Sequence, residues 1–371
     1  MSIIQNYKKG HAPDYIFLSA IIILTVFGLA MLSSASSDLG KIKFNDTYFY
    51  LKHQIYYGLS LGIAGFLAGL FVYYKRWQNA AFLLLLASIL MLILVFTPLG
   101  MKAGGAARWI NVGPMSIQPA EILKLTFIIY LAAWLSKKKE KRRSSFIEGV
   151  LPFITISSII VALILMQPAT TTVIILMAAS LIMYFVSGAK LRYILGIILL
   201  GVIGLAIVIS ATPYRFNRVM DYFRNANADI QTSGYHRNQA LIAVGSGGLF
   251  GVGYGQSTLK YKFLPEPIGD SIFAVIAEEL GFVGSIFVIA AFVLVFIRGI
   301  SIAKNSRDDF GKLAIMGFIS IIAIQTFINL GAISGALPLT GVPLPFISYG
   351  GTALAIFLTM SGIVVNISKY T

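Results

Sequence analysis

The sequence predicts an all-α polytopic membrane protein of ten transmembrane helices, and three observations carry that reading. Of its 371 residues 57% are hydrophobic and only 12% charged, with a mean hydropathy of +0.84, whereas a soluble domain carries roughly a quarter charged residues. Apolar runs of about 20 residues, long enough to cross a hydrocarbon core, recur along the whole chain. They leave no polar faces to meet water, which excludes a buried soluble core.

The first run, 15–35, is too long and lacks the small-residue cleavage site of a cleavable signal peptide. Runs 54–74 and 79–98 are joined through Lys75 and Arg76. The fourth, 119–135, opens with Pro119, which suits the first turn of a helix, and ends at the basic stretch KKKEKRR (137–143). Runs 149–167 and 170–188 follow, and Lys190 and Arg192 lead into 192–212. Runs 271–297 and 313–334 flank Arg298, Lys304, Arg307 and Lys312, and 352–368 ends at Lys369. With Lys8 and Lys9, basic residues thus concentrate in alternate loops, which the positive-inside rule places in the cytoplasm together with both termini. That distribution explains the net charge of +15 without nucleic acid as a partner. KKKEKRR reads as a topological anchor facing the anionic headgroups of membrane lipids. With zero cysteines, no disulfide, thiolate nucleophile or cysteine metal site exists. No polar linker divides the apolar halves, so 1–371 reads as a single domain.

Three segments on the opposite, extracytoplasmic side stand out: 98–118, 213–270 and 335–351. The largest, between the seventh and eighth spans, is too apolar and glycine-rich in NQALIAVGSGGLFGVGYG to remain a coil in water. It predicts short helices at the interface or re-entering the bundle. Its glycines do not make a dinucleotide turn: G-x-G-x-x-G from Gly245 would need glycine at 250, where phenylalanine stands, and the βαβ context is missing. Close packing or a tight re-entrant turn is the better reading. In 335–351, three prolines within LPLTGVPLP predict a rigid, broken loop that offers Ser348 and Tyr349 as polar contacts.

The chemistry must come from charged residues near these segments. Glu121 and Lys124, spaced i, i+3, share a face just inside the fourth span, either as a mutually neutralised bridge or as lining of a wet cavity. Arg108 beside Trp109 fits an interfacial anchor and equally a diphosphate ligand. LPEPIGDSIFAVIAEELG (264–281) concentrates Glu266, Asp270, Glu278 and Glu279, four of the chain's 14 acidic side chains. Asp270 sits where a helix N-cap belongs, yet a carboxylate at the rim of a lipid-facing cavity also has the raised pKa of a general base. Glu278 and Glu279 are about 100° apart on a helix, so they cannot both line the face of Asp270. At least one should pair with a basic or polar group from another span. His11, His53 and His236 are too scattered for a metal cluster and read as interfacial or loop residues. On residue chemistry alone, catalysis and ion coupling stay equally open.

These stretches together resemble a known family. DYIFLSAIIILTVFGLAMLSSASS (14–37), ARWINVGPMSIQPAEILKL (107–125), SGYHRNQALIAVGSGGLFGVGYGQSTLKYKFLPEPIGDSIFAVIAEELGFVG (233–284) and GALPLTGVPLPFISYGG (335–351) are similar, in order, to the SEDS proteins, the FtsW/RodA group of peptidoglycan polymerases. The DYI entry and SSASS look closer to the division branch than to the elongation branch. The resemblance implies polymerisation of lipid II into glycan strands at the outer face of the bacterial cytoplasmic membrane, with undecaprenyl-linked glycan as substrate and a class B penicillin-binding protein as partner. It implies that Asp270 is catalytic, and it maps a supporting element onto Gln118, Pro119, Glu121 and Lys124, with Arg108 ahead of it. Two departures are Ala169, where relatives usually carry aspartate, and EPIGD, where they carry EAHTD or ERHTD. The implied mechanism makes Asp270 the base for the acceptor hydroxyl, with Arg108, Lys124, Arg215, Lys260 and a divalent metal near Asp270 as candidates to meet the diphosphate charge. Glu266 and Glu279 are supporting candidates, and no organic cofactor is expected. A lipid II flippase and a non-enzymatic scaffold for a transpeptidase are the alternatives.

Overall fold

Inside a bilayer the backbone has no water to bond to, so each apolar run must satisfy its own peptide groups by coiling. The computed structural model describes residues 10–103, 106–113, 115–137, 145–224, 233–261 and 263–371. Along them run α1 (Tyr15–Ala35), α2 (Ser37–Phe44), α3 (Phe49–Phe71) and α4 (Tyr74–Leu94). After a small sheet follow α5 (Pro119–Lys137), α6 (Phe146–Met166), α7 (Thr170–Val186) and α8 (Leu191–Ser210). The extracytoplasmic segment holds α9 (Pro213–Arg224) and α10 (Ser233–Ser246), and the chain ends with α11 (Ile272–Asn305), α12 (Asp309–Ile333) and α13 (Gly351–Ser368). Among the described residues nine helices are at least 18 residues long and apolar enough to span a membrane, and α7 is an apolar helix of 17. Most of KKKEKRR lies outside the described residues.

The expectation of an all-α chain needs one correction. Residues 100–117 form a three-stranded antiparallel sheet, β1 (Gly100–Ala103), β2 (Ala106–Val112) and β3 (Met115–Ile117), in the order β1-β2-β3. Ile110 pairs with both Gly100 and Ile117, and Gly113 takes the left-handed φ of +63° before β3. Outside the hydrocarbon region, aromatic and β-branched residues such as those of RWINV favour strands over helix.

The buried core is the trio α5, α12 and α13, while α8 turns nearly its whole surface outward. α3 lies unusually close to α13: a Cβ on Gly69 would sit 2.7 Å from the Ile363 nitrogen. Small residues allow such backbone approach between membrane helices. At one end of the bundle Asp14 caps α1 and pairs with Arg298 of α11, His11 N donates to the Lys369 carbonyl at 2.9 Å, and Lys75 lies 3.5 Å from Asp308. The N-terminal segment, the turn at Lys75, the 298–308 region and the C-terminus therefore meet on one face. The three predicted extracytoplasmic segments converge at the other: Thr352 of α13 donates to Ser116 of β3, Thr171 to the Thr340 carbonyl, and Tyr222 of α9 to Ala336.

α11 differs from the uninterrupted span expected at 271–297. Gly281, at φ +65° and ψ −160°, breaks it into a half-helix of 272–280 and the long remainder. The glycine-rich turn after α10 enters this break, as Val252 and Gly253 donate to the carbonyls of Glu278 and Glu279, and Phe282 and Val283 donate to Gly248 and Leu249. A Cβ on Gly281 would lie 2.3 Å from the Gly251 nitrogen. Such φ/ψ values and such an approach belong to glycine alone.

Candidate active site

Asp270 stands at the entrance of the half-helix, but it is not the cap. Ser271 occupies the N-cap position, and the helix starts at Ile272. The turn before it is built by Glu266, which takes the left-handed φ of +49° and whose carbonyl accepts from Gly269 N at 3.0 Å and Ser271 N at 3.3 Å. A non-glycine residue in that region is strained and persists only where its surroundings fix it. The Glu266 side chain itself is exposed.

The 335–351 loop supplies the fixing contacts. Ser348 Oγ donates to the Gly269 carbonyl at 2.6 Å and accepts from Leu344 N at 2.8 Å, and Tyr349 N donates to the Ile268 carbonyl at 2.8 Å. The Tyr349 hydroxyl meets His53 Nδ1 at 2.9 Å. Burial, then the neighbouring Tyr50, push that hydroxyl up to about 12, so it stays protonated. Asn329 of α12 donates through Nδ2 both to the Asp270 carbonyl at 2.8 Å and to the Val342 carbonyl at 2.7 Å. One turn away, Gln325 donates to the Pro343 carbonyl at 2.9 Å and accepts from Lys124 Nζ at 2.8 Å, while Lys124 pairs with Glu121 at 2.7 Å. Gln118 N reaches Thr352 Oγ1 at 3.3 Å. A polar column thus runs from Glu121 through the bundle to the loop that holds Asp270. Its carboxylate is 13% exposed, next to Gly341 of the same loop and to His236 of α10, whose Nε2 lies 4.0 Å from Oδ1.

Other predicted residues take different places. Glu279 and Lys260 pair at 2.9 Å with both side chains essentially fully buried. Ser34 of α1 donates to both Glu279 oxygens, at 2.6 and 2.8 Å, and Lys260 also donates to the Gly255 carbonyl at 2.8 Å. Glu278 accepts from Ser257 Oγ at 2.5 Å and Thr258 N at 2.9 Å. The two glutamates therefore clamp the re-entrant turn onto the broken helix. Lys260 and Lys124, expected as diphosphate cations, are corrected to internal partners of carboxylates, because a buried ammonium is held only where an opposite charge offsets its desolvation. Arg108 braces the turn between α6 and α7, with Nε 2.9 Å from the Gln167 carbonyl and an Nη 2.6 Å from that of Pro168. Arg215 of α9 reaches Thr212 Oγ1 at 3.5 Å.

His236, Arg237, Ser271, Gln325 and Asn329 were missed as site residues. His236 Nε2 lies 2.5 Å from Ser271 Oγ, and Arg237 donates to the Gly335 carbonyl at 3.3 Å. Two polar residues four apart on an apolar helix, Gln325 and Asn329, gave a weak periodic signal; His236 gave none. Among the described residues no group of three or more His, Asp or Glu side chains comes together. The described side chains thus form no three-ligand metal site of their own, and no step is routed through a metal.

Fold and site define a polytopic helical membrane protein whose polar centre sits at the bundle end opposite its termini. The chain belongs to the FtsW/RodA/SpoVE family of cell cycle proteins, whose model matches residues 15–371. It is 38% identical to the stage V sporulation protein E of Bacillus subtilis over 98% of this chain and 99% of that protein. It is 36% identical to the "Probable peptidoglycan glycosyltransferase FtsW" of Geobacter metallireducens over 98% of this chain and 96% of that one. Among solved structures, a chain from a peptidoglycan synthase complex that coordinates polymerization and crosslinking superposes with TM-score 0.81 at 26% identity, covering 97% of this chain and 99% of that one. The Thermus thermophilus rod shape determining protein RodA gives 0.70 at 25%, covering 96% of this chain and 97% of that one.

Proposed function

We propose that the protein is a peptidoglycan glycosyltransferase of the bacterial cytoplasmic membrane that polymerises lipid II into glycan strands at the outer face. The observation that carries this reading is Asp270. A partly exposed carboxylate, not engaged as the helix cap, stands on a turn anchored by Ser348, Tyr349 and Asn329 at the extracytoplasmic end. Such rigidity is what a general base needs, since a small misplacement costs orders of magnitude in rate. Asp270 removes the proton of the acceptor sugar hydroxyl, whose oxygen attacks the anomeric carbon of the donor. The bond from that carbon to the diphosphate breaks, and undecaprenyl diphosphate departs with the electron pair. Arg108, Arg215 and Arg237 are among the cations of this face and meet its charge. Anchoring both substrates in one bilayer lowers the entropy cost of their encounter. A class B penicillin-binding protein, the crosslinking partner, completes the assembly.

The test is lipid II polymerisation by the purified full chain. Asp270→Asn keeps the shape of the side chain but loses its basicity, and should reduce strand formation by at least about 100-fold with an unchanged melting temperature. Retained polymerisation would remove Asp270 from the reaction.

A further inference from the structure

A base that serves a polymerase must be emptied of its proton after every addition. Asp270 is poorly placed to do this alone. Its side chain is only 13% exposed, with the 335–351 loop alongside, and the bound sugars would cover what remains. Beside it lies the Ser271 hydroxyl, fully buried, 3.4 Å from Asp270 Oδ1 and 2.5 Å from His236 Nε2. The serine is thus bracketed by a carboxylate and an imidazole, and the imidazole side chain is itself 15% exposed. α10 presents His236 here because the glycine turn after it is bound into the break of α11.

We propose that Ser271 and His236 form a proton exit for Asp270, a deepening of the function above that rests on Asp270 being the base. With the imidazole neutral and protonated on Nδ1, Nε2 accepts the Ser271 hydroxyl proton. After glycosyl transfer the protonated Asp270 passes its proton to Ser271 Oγ as Ser271 releases its own to Nε2. The carboxylate is regenerated, the serine is unchanged, and an imidazolium remains, which loses one proton to water at the outer surface. Imidazole is ordinarily the stronger base of the two side-chain types, which directs the proton toward His236. The same pair fixes the carboxylate between rounds, so His236 and Ser271 are positioning residues that act through Asp270.

Steady-state polymerisation of lipid II by the reconstituted full chain, with and without free imidazole, provides the test. His236→Ala should lower kcat by about tenfold or more with KM for lipid II within about twofold, and imidazole should restore several-fold of the loss. His236→Gln, which keeps a hydrogen-bonding partner for Ser271 but no basic nitrogen, should show the same kcat loss if the alanine variant does not fold. Ser271→Ala should match it without imidazole rescue, and Asp270→Ala should be inactive in both conditions. Wild-type turnover in His236→Gln, or a loss that appears in KM and ignores imidazole, would overturn the relay while leaving Asp270 as the base. Activity in Asp270→Ala would instead overturn the underlying function.

Discussion

Four acidic residues within 264–281 serve three different purposes, and neighbours at atomic distance decide which. Glu266 bends the backbone, Asp270 presents its carboxylate at the outer end, and Glu278 and Glu279 tie down a loop. The ion pair of Glu279 with Lys260 lets the assignment be tested. A buried pair adds little net stability, but removing one partner strands the other charge and costs about 3–5 kcal/mol. Lys260→Met should therefore lower the melting temperature of the purified protein sharply, and Lys260→Met with Glu279→Gln should recover much of the loss. If Lys260 instead met the diphosphate of a substrate, the single variant would fold normally and raise KM for lipid II. The sequence already required that one of the adjacent glutamates find a partner on another span, as Glu279 does in Ser34 of α1, because adjacent helical positions diverge by about 100°. Which partner it found was not legible, since Ser34 and Lys260 are brought together only by the folded path of 213–270.

At the scale of elements, the informative feature is an interruption. Hydropathy reads 271–297 as one continuous span, because averaging over a window cannot register a single glycine with unusual dihedrals. The structure shows a half-helix of 272–280 whose last carbonyls receive the re-entrant turn. The motif GSGGLFGVGYG, rejected as a nucleotide turn and read as close packing, finds its purpose in this exchange. Gly281→Ala tests it. The side chain would meet the Gly251 nitrogen at 2.3 Å in a φ/ψ region open essentially to glycine, a strain of about 1–3 kcal/mol before any rearrangement. Polymerisation should fall along with the melting temperature, although position 281 lies eleven residues from Asp270 in sequence. Normal activity with a normal melting temperature would mean that the break can be absorbed without moving α10 or the turn that carries Asp270. The 100–117 sheet was overlooked for a related reason: composition identified the segment as extramembrane, while its strand pairing depends on register and a glycine turn at Gly113.

For the whole molecule, sidedness decides whether any of this chemistry is accessible to a lipid-linked sugar. The alternation of basic loops predicted two faces from charge alone, and the structure gathers Lys75, Arg298 and Lys369 at one end and Asp270 with Thr340 and Tyr349 at the other. The two arguments are independent, since one concerns how loops partition during insertion and the other how helices pack. Because the native chain has zero cysteines, each introduced thiol reports alone. Phe250→Cys, on the exposed turn beside α11, and Leu99→Cys, at the start of the 100–117 segment, should react with a membrane-impermeant maleimide added outside intact cells. Lys304→Cys, on the terminus-bearing face, should react only after the membrane is opened. The reverse pattern would turn Asp270 toward the cytoplasm, where no base could reach an acceptor sugar on the outer leaflet, and a proton released through His236 would emerge on the wrong side.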